Sequence, residues 1–305
     1  MLDEISAKGS ELRTQGGPLD LVRRKYLTEL AGLTGRHLIV YYSGWLQKED
    51  IVRQSPNSFS LTDADKNGFM AAIHQMDRTK GLDLILHTPG GDIAATESLV
   101  DYLRSMFGTN IRAIVPQLAM SAGTMMALSC HEVVMGKHSS LGPIDPQIGS
   151  TPAHGVIEEF RKAADEIKRD PSRIPIWQPI IANYRPAFVG ECEKAVDWAN
   201  EMVKQWLITG MFKGDPGAAA KAERIVADFG DHALTKSHAR HISIDSAQKS
   251  GVKVISLEDD PGLQNAVLSV HHACVHTLAS SAAAKFIENE RGVAFIQMVE
   301  IERGA

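Results

Sequence analysis

Cysteine is scarce in this chain: Cys130, Cys192 and Cys274 stand far apart among 305 residues, odd in number and with no CxxC pair. That spacing suggests neither a disulfide framework nor a zinc ribbon, and Cys130, at the end of an apolar segment, reads as a small buried hydrophobe. Long apolar runs are missing too. No stretch reaches the roughly eighteen residues that a membrane-spanning helix needs, and the opening MLDEISAKGSELRTQGG lacks the apolar core of a secretory signal. The charge balance is −5 without a dense Lys/Arg block, so no nucleic-acid partner is expected. Neither a P-loop nor a dinucleotide-binding glycine pattern occurs. The expectation is a cytoplasmic protein with no membrane contact, no organic cofactor and no metal, which does not itself consume ATP.

What is present is ordinary in bulk, 44% hydrophobic and 23% charged, and long enough for one large domain or one domain with a substantial appendage. The informative part is local. In residues 114–149 an apolar run ending at Pro116 meets a tight MSAG corner, followed by a small-residue helix, AGTMMALSC. The corner leaves the Ser121 hydroxyl where a strand hands over to a helix, beside N–H groups that would stabilise a developing oxyanion. Upstream, DLILHTPGGDIAATESLVDYLRSMF repeats the arrangement with Gly90 and Gly91 at the turn, where no Cβ blocks approach to the backbone. One unit offers amides and the other an alcohol, which together suit acyl transfer. The GxSxG elbow of other hydrolases is absent, the local sequence being LAMSAGT. Serine can also simply cap a helix. The paired glycine unit tips the reading toward a nucleophile whose oxyanion hole comes from the N–H of Gly91 or Gly90 and of Ala122.

Elsewhere the pattern alternates. PLDLVRRKYLTELAGLTG reads as a helix closed by Gly35, RHLIVYYSGW as a strand, and LDLILHT, IRAIVP and HEVVMG as strands separated by helices at 93–107 and 122–130. Such a rhythm predicts parallel strands with helices on their faces. Asp92 is placed to cap the helix after the glycines. DADKNG invites a calcium reading, but the twelfth loop position falls on His74 instead of a glutamate, and helix capping by Thr62 or Asp63 explains the same letters. After Thr151 the chain turns helical: an amphipathic VIEEFRKAADEIKRD, a broken PSRIPIWQPIIANYRPAF, then a long helix with Val196, Val203, Trp206 and Leu207 on its apolar stripe. A loop and helix follow (GDPGAAAKAERIVADFG), then the short helix SIDSAQKSG and the strand VKVISL, and the chain is expected to finish in a long helix beginning LQNAVLSVHHACVHTLASS. His271, His272, Cys274 and His276 on it form no HExxH pattern and read as packing histidines.

HTPGG, AMSAGT and LGPIDPQ, in this order and spacing across about residues 23–289, resemble the SDH-type (serine dehydrogenase proteinase) family of Clp-fold serine peptidases, relatives of ClpP and SppA. The resemblance implies an α/β fold, the repeated ββα spiral of the Clp/crotonase superfamily, with a helical insertion and a long C-terminal helix. On that view 1–17 is a flexible lead, 18–150 the core with the nucleophile, 151–212 the helical arm, 213–260 the second part of the core with the base, and 261–305 the C-terminal helix. It further implies a homo-oligomer and a peptide or unfolded-protein substrate. The ClpP-type histidine position holds Asp145. The SDH-type order of Ser, Asp and His maps instead onto Ser121, Asp145 and His238, with His241 as a competing base. SppA-type relatives use a lysine, for which Lys162 and Lys168 are alternatives, though both sit on a charge-crowded helix. Two other functions remain open at this point: a crotonase-type acyl-CoA enzyme, which would need carboxylates instead of an activated serine, and a non-catalytic assembly module.

Overall fold

The structure is a computed structural model that describes residues 17–149, 151–230 and 240–299. Its centre is a sheet of seven strands in the order β10-β5-β3-β2-β1-β11-β12. The strands are β1 (His37–Ser43), β2 (Leu82–His87), β3 (Ile111–Val115), β5 (Glu132–Met135), β10 (Val254–Ser256), β11 (Ala283–Asn289) and β12 (Ala294–Met298). From β10 to β1 all pairings are parallel, while β11 and β12 run antiparallel at one edge. Near-continuous Leu, Ile and Val along β1 to β3 reflect a sheet covered on both faces. Alternation along each strand divides two cores. Ile39, Tyr41, Leu84, Leu86, Ala113 and Val133 face one side; Leu38, Val40, Tyr42, Ile85, Ile114 and Val134 face the other. Helices α1 (Pro18–Thr34) and α11 (Pro261–Ser280) cover the second side. On the first pack α3 (Asp65–Ile73), α4 (Ile93–Phe107), α5 (Ala122–Leu128), α8 (Phe188–Thr209) and α9 (Ala218–Gly230). The mixed α/β class expected from the sequence is the one observed.

A second, small sheet decides where the chemistry sits. Strands β4 (Leu118–Ala119), β6 (Ser140–Leu141) and β9 (Ile242–Ser243) form it, with β4 parallel to β6 and β9 antiparallel to β6. It joins the main sheet through a Thr88–Ala119 bridge at the end of β2. Beyond it, the hairpin of β7 (Gln147–Ile148) and β8 (Thr151–Pro152) leads into the helical arm of α6 (Ala153–Arg169), α7 (Ile174–Ile181) and α8. The arm has its own apolar cluster, formed by Val156, Ile157, Cys192 and Val196. In the proline-rich segment at its tip a 3-10 turn (Pro171–Arg173) leads into the short helix α7, which has Pro179 inside it.

The C-terminal region corrects an expectation. The helix predicted over 261–305 ends at Ser280, and a β-hairpin takes its place. Asn289 closes the turn, its side chain accepting from the N–H groups of Arg291 and Val293 (2.9 Å each). The register Ile39–Asn289 to Ser43–Lys285 inserts β11 beside β1, and buried Glu288 receives Arg23 of α1 at 2.5 Å. The run AAKFIEN has no strong local preference; the partner strand far away in the chain decides its state. The residues that invited a calcium reading begin α3. There the buried Asp65 carboxylate meets the Lys285 ammonium at 2.8 Å, so a protein cation occupies its coordination.

Candidate active site

Ser121 sits at the N-terminal corner of α5 with φ 50° and ψ −116°, a left-handed backbone that non-glycine residues adopt rarely and at a cost. Its hydroxyl makes no capping hydrogen bond, which removes the cap as an explanation for the serine. The turn is held by backbone bonds, Gly123 N–H donating to Met120 O (2.8 Å) and Met125 N–H to Ser121 O (3.0 Å), and by the Thr124 hydroxyl, which donates across it to Ala119 O at 2.7 Å. Glycine at 123 is needed because a Cβ there would lie 2.4 Å from Cγ2 of Thr88. Ser121 is half-buried and opens into a cleft of about 380 Å³.

The glycine turn forms the facing wall of that cleft. Gly90 (φ +107°) lies so close that a Cβ would stand 2.6 Å from Cβ of Ser121. Its N–H donates to the Thr88 hydroxyl at 3.1 Å, so of the two glycines named from the sequence, Gly90 has its amide already engaged. Gly91 pairs in parallel with Leu61, with Leu61 N–H donating to Gly90 O (2.8 Å) and Asp92 N–H to Leu61 O (3.0 Å). Those two bonds flank Gly91 and leave its own N–H on the side away from Leu61. Among the described residues no acceptor takes the N–H of Gly91 or of Ala122. Asp92 caps α4 through Ala95 N–H at 2.8 Å, as its position predicted.

The small sheet brings together the segments that carry the other candidates. β4 leads into Ser121, β6 leads toward Asp145, and β9 follows His241 directly, with Ser140 opposite Ser243 and Leu141 opposite Ile242. Asp145 is 1% exposed, and the next residues, Pro146, Gln147 and Ile148, line the Ser121 cleft. His241 is exposed. His238 lies outside the described residues. Lys162 and Lys168 are exposed on α6 and do not line the cleft. Nor is Cys130 a competing nucleophile, since burial pushes its thiol up to about 12. His87, although adjacent to the glycine turn, packs against Tyr42, Trp45 and His271 and does not line the cleft.

Sequence reading named no residue on the apolar and helical side of the cleft. Met125, Ile93, Ala195 and Trp198 line it, with the Trp198 indole N–H donating to Glu97 at 3.3 Å across α8 and α4. Trp198 is 40% exposed and lies off the stripe of Val196, Val203, Trp206 and Leu207, all four of which are buried. A tryptophan off the packed face of its own helix was the available signal.

The profile of a family described as ClpP-like SDH-type serine proteinase matches residues 57–256, more than half of the chain. Two uncharacterized proteins of Methanocaldococcus jannaschii are 36% and 34% identical to it, each over 107 residues or 35% of this chain. The matched region spans only 37% and 36% of the length of these relatives. Among solved structures, a serine-to-alanine mutant of 1510-N membrane-bound stomatin-specific protease aligns at 18% identity and TM-score 0.39, covering 68% of this chain and 79% of that one. A lysine-to-alanine mutant of the same protease in complex with a substrate peptide aligns at 18% identity and TM-score 0.40, covering 67% and 74%. Such a loose overlap transfers no residue role. Among the described residues no helix is long and apolar enough to cross a membrane.

Proposed function

The chain belongs to the ClpP-like SDH-type serine proteinase family, and from that premise we propose that it is a serine peptidase cleaving peptides through an acyl-enzyme on Ser121. The Ser121 oxygen attacks the scissile carbonyl carbon, and its proton passes to a histidine. The carbonyl oxygen, now negatively charged, turns toward the amides of Gly91 and Ala122. Collapse of the tetrahedral intermediate expels the amine, which takes the proton from the histidine, and water then releases the acyl group by the same route. We assign the base to His238, with His241 as its competitor, and orientation of the imidazole to Asp145. A short or already unfolded peptide is the substrate, no nucleotide is consumed, and the enzyme works in the cytoplasm as a homo-oligomer.

The observation that carries this reading is the Ser121 corner itself. A non-glycine residue is held in a left-handed conformation, its hydroxyl is not used as a cap, and it faces a glycine turn in which an added Cβ would collide with its own. Strain of this kind persists where the surroundings over-determine it, and it concentrates at functional sites. The test is hydrolysis of a peptide library together with labelling by an active-site phosphonate. Ser121→Ala is expected to abolish both, a loss of at least roughly 1000-fold in turnover. Unchanged labelling in that variant would remove Ser121 as the nucleophile.

A further inference from the structure

Behind the glycine turn lies a buried ion pair that the acyl-transfer steps do not use. Lys285 of β11 is 1% exposed and Asp65 of α3 is fully buried. The Lys285 ammonium contacts both carboxylate oxygens (2.8 and 2.9 Å) and also donates to the Ser60 carbonyl at 2.6 Å. Asp65 Oδ2 in turn accepts from the Thr62 N–H (2.9 Å) and from the Tyr41 phenol (3.2 Å). The pair therefore grips residues 60–62 from both ends, by the carbonyl of Ser60 and the amide of Thr62. The residue between them, Leu61, is the one bonded to Gly90 O and Asp92 N–H. Contact there is very close: a Cβ on Gly91 would lie 2.3 Å from Leu61 O and 2.4 Å from Leu61 N.

Burying an ammonium and a carboxylate is a poor way to gain stability, since well-packed apolar residues of similar volume often serve as well or better. What such a pair does supply is fixed geometry for the backbone groups it bonds. An oxyanion donor has to be held within a fraction of an ångström to be effective. We infer that Lys285 and Asp65 are positioning residues for the Gly91 amide, acting through the strap formed by residues 60–62. The inference rests on the serine-peptidase reading and names the part of the scaffold that aims one of its two oxyanion donors.

The test is the double variant Lys285→Met with Asp65→Asn, which removes both charges at nearly constant volume, with rates normalised to the folded fraction. The expected result is a kcat lower by roughly 10- to 100-fold, KM within about twofold, and phosphonate labelling of Ser121 slowed in proportion, because the phosphoryl oxygen uses the same hole. A folded double variant with wild-type kcat and labelling rate overturns the inference, for the pair would then be structural only. If the double variant does not fold, Tyr41→Phe decides: a fall of about threefold in kcat per folded molecule with unchanged KM supports the inference, and an unchanged kcat overturns it. A readout without activity is the Gly91 amide resonance in glycine-labelled protein. It is expected to shift in the double variant while the resonance of Gly123, next to Ala122, stays put, and an unmoved Gly91 resonance counts against the inference. A wild-type protein whose Ser121 takes no phosphonate and cleaves no peptide defeats the peptidase reading instead, leaving that resonance as the separate measure of the strap.

Discussion

Tyr41 and Tyr42 are neighbours on β1 and face opposite sides of the sheet, and each anchors a buried polar cluster of a different kind. On the Tyr41 side the groups are charged and bonded: Asp65 and Lys285 are in contact, Asp65 also accepts from the Tyr41 phenol, and one further bond from each of the pair reaches the strap behind the glycine turn. On the Tyr42 side they are imidazoles. Tyr42 meets His271 Nδ1 at 3.1 Å, and His87 lies among Tyr42, Trp45 and His271 with no hydrogen-bond partner for either ring nitrogen among the described residues. Burial, aided by the His271 ring, lowers His87 to about 3; burial, aided by His272 and His138, lowers His271 to about 4. The contrast shows two solutions to one problem. An interior polar group is either ionised and fully paired, or it is kept neutral at the expense of proton affinity.

The largest effect is expected from breaking the charged cluster on one side only. Asp65→Ala leaves the Lys285 ammonium buried without its counter-ion, which should cost about 3–5 kcal/mol in urea unfolding at neutral pH. Adding Lys285→Met to the same protein should recover most of that loss. A cost for Asp65→Ala no greater than that of a surface substitution would mean that the pair is not ionised in the folded state.

Acid should act on the other cluster. The folded-state values of His87 and His271 lie below the ordinary imidazole value of 6.5, so above pH 6.5 both are neutral whether folded or unfolded and impose no penalty. As pH falls below 6.5 the unfolded chain binds protons that the native state refuses, and stability drops until about pH 4 to 3. At pH 5 the loss is about 2 kcal/mol for each histidine. His87→Phe, which keeps a ring against Tyr42 and Trp45, is expected to remove about half of this slope between pH 6.5 and 5, read from chemical denaturation at each pH. A slope identical to wild type would show that His87 is protonated inside the folded protein.

Much of the site was legible locally, and the reason is physical. Tight turns declare themselves through small residues, so the Gly90-Gly91 and Ser121 corners, the helix Ile93–Phe107 and the Asp92 cap followed from short stretches of sequence. The hairpin at the C-terminus did not, because Ala283–Asn289 becomes a strand only by pairing with β1. Lys285 and Asp65 lie 220 positions apart, and both are residue types normally found at the surface. No spacing rule could join them; the topology of β11 beside β1 does. Trp198 lay outside the stripe used to read α8, and its role at the cleft depends on how the arm packs across α4. His238 lies outside the described residues, and His241 stands exposed directly before β9.

The finest test compares the two tyrosines by removing one hydroxyl at a time. Tyr42→Phe takes away the partner of His271 Nδ1, and one lost buried hydrogen bond is worth about 1 kcal/mol. Because that cluster bonds neither the strap nor the glycine turn, turnover per folded molecule should stay at the wild-type level. Tyr41→Phe removes one of several bonds to Asp65, which keeps Lys285 and the Thr62 amide, so its stability should change less. Its kcat should nevertheless fall by the few-fold expected of a loosened strap. Thermal melts and steady-state kinetics on the two proteins, side by side, separate the faces of β1. If both variants lose turnover in proportion to stability, the division of labour between the charged and the neutral cluster does not exist.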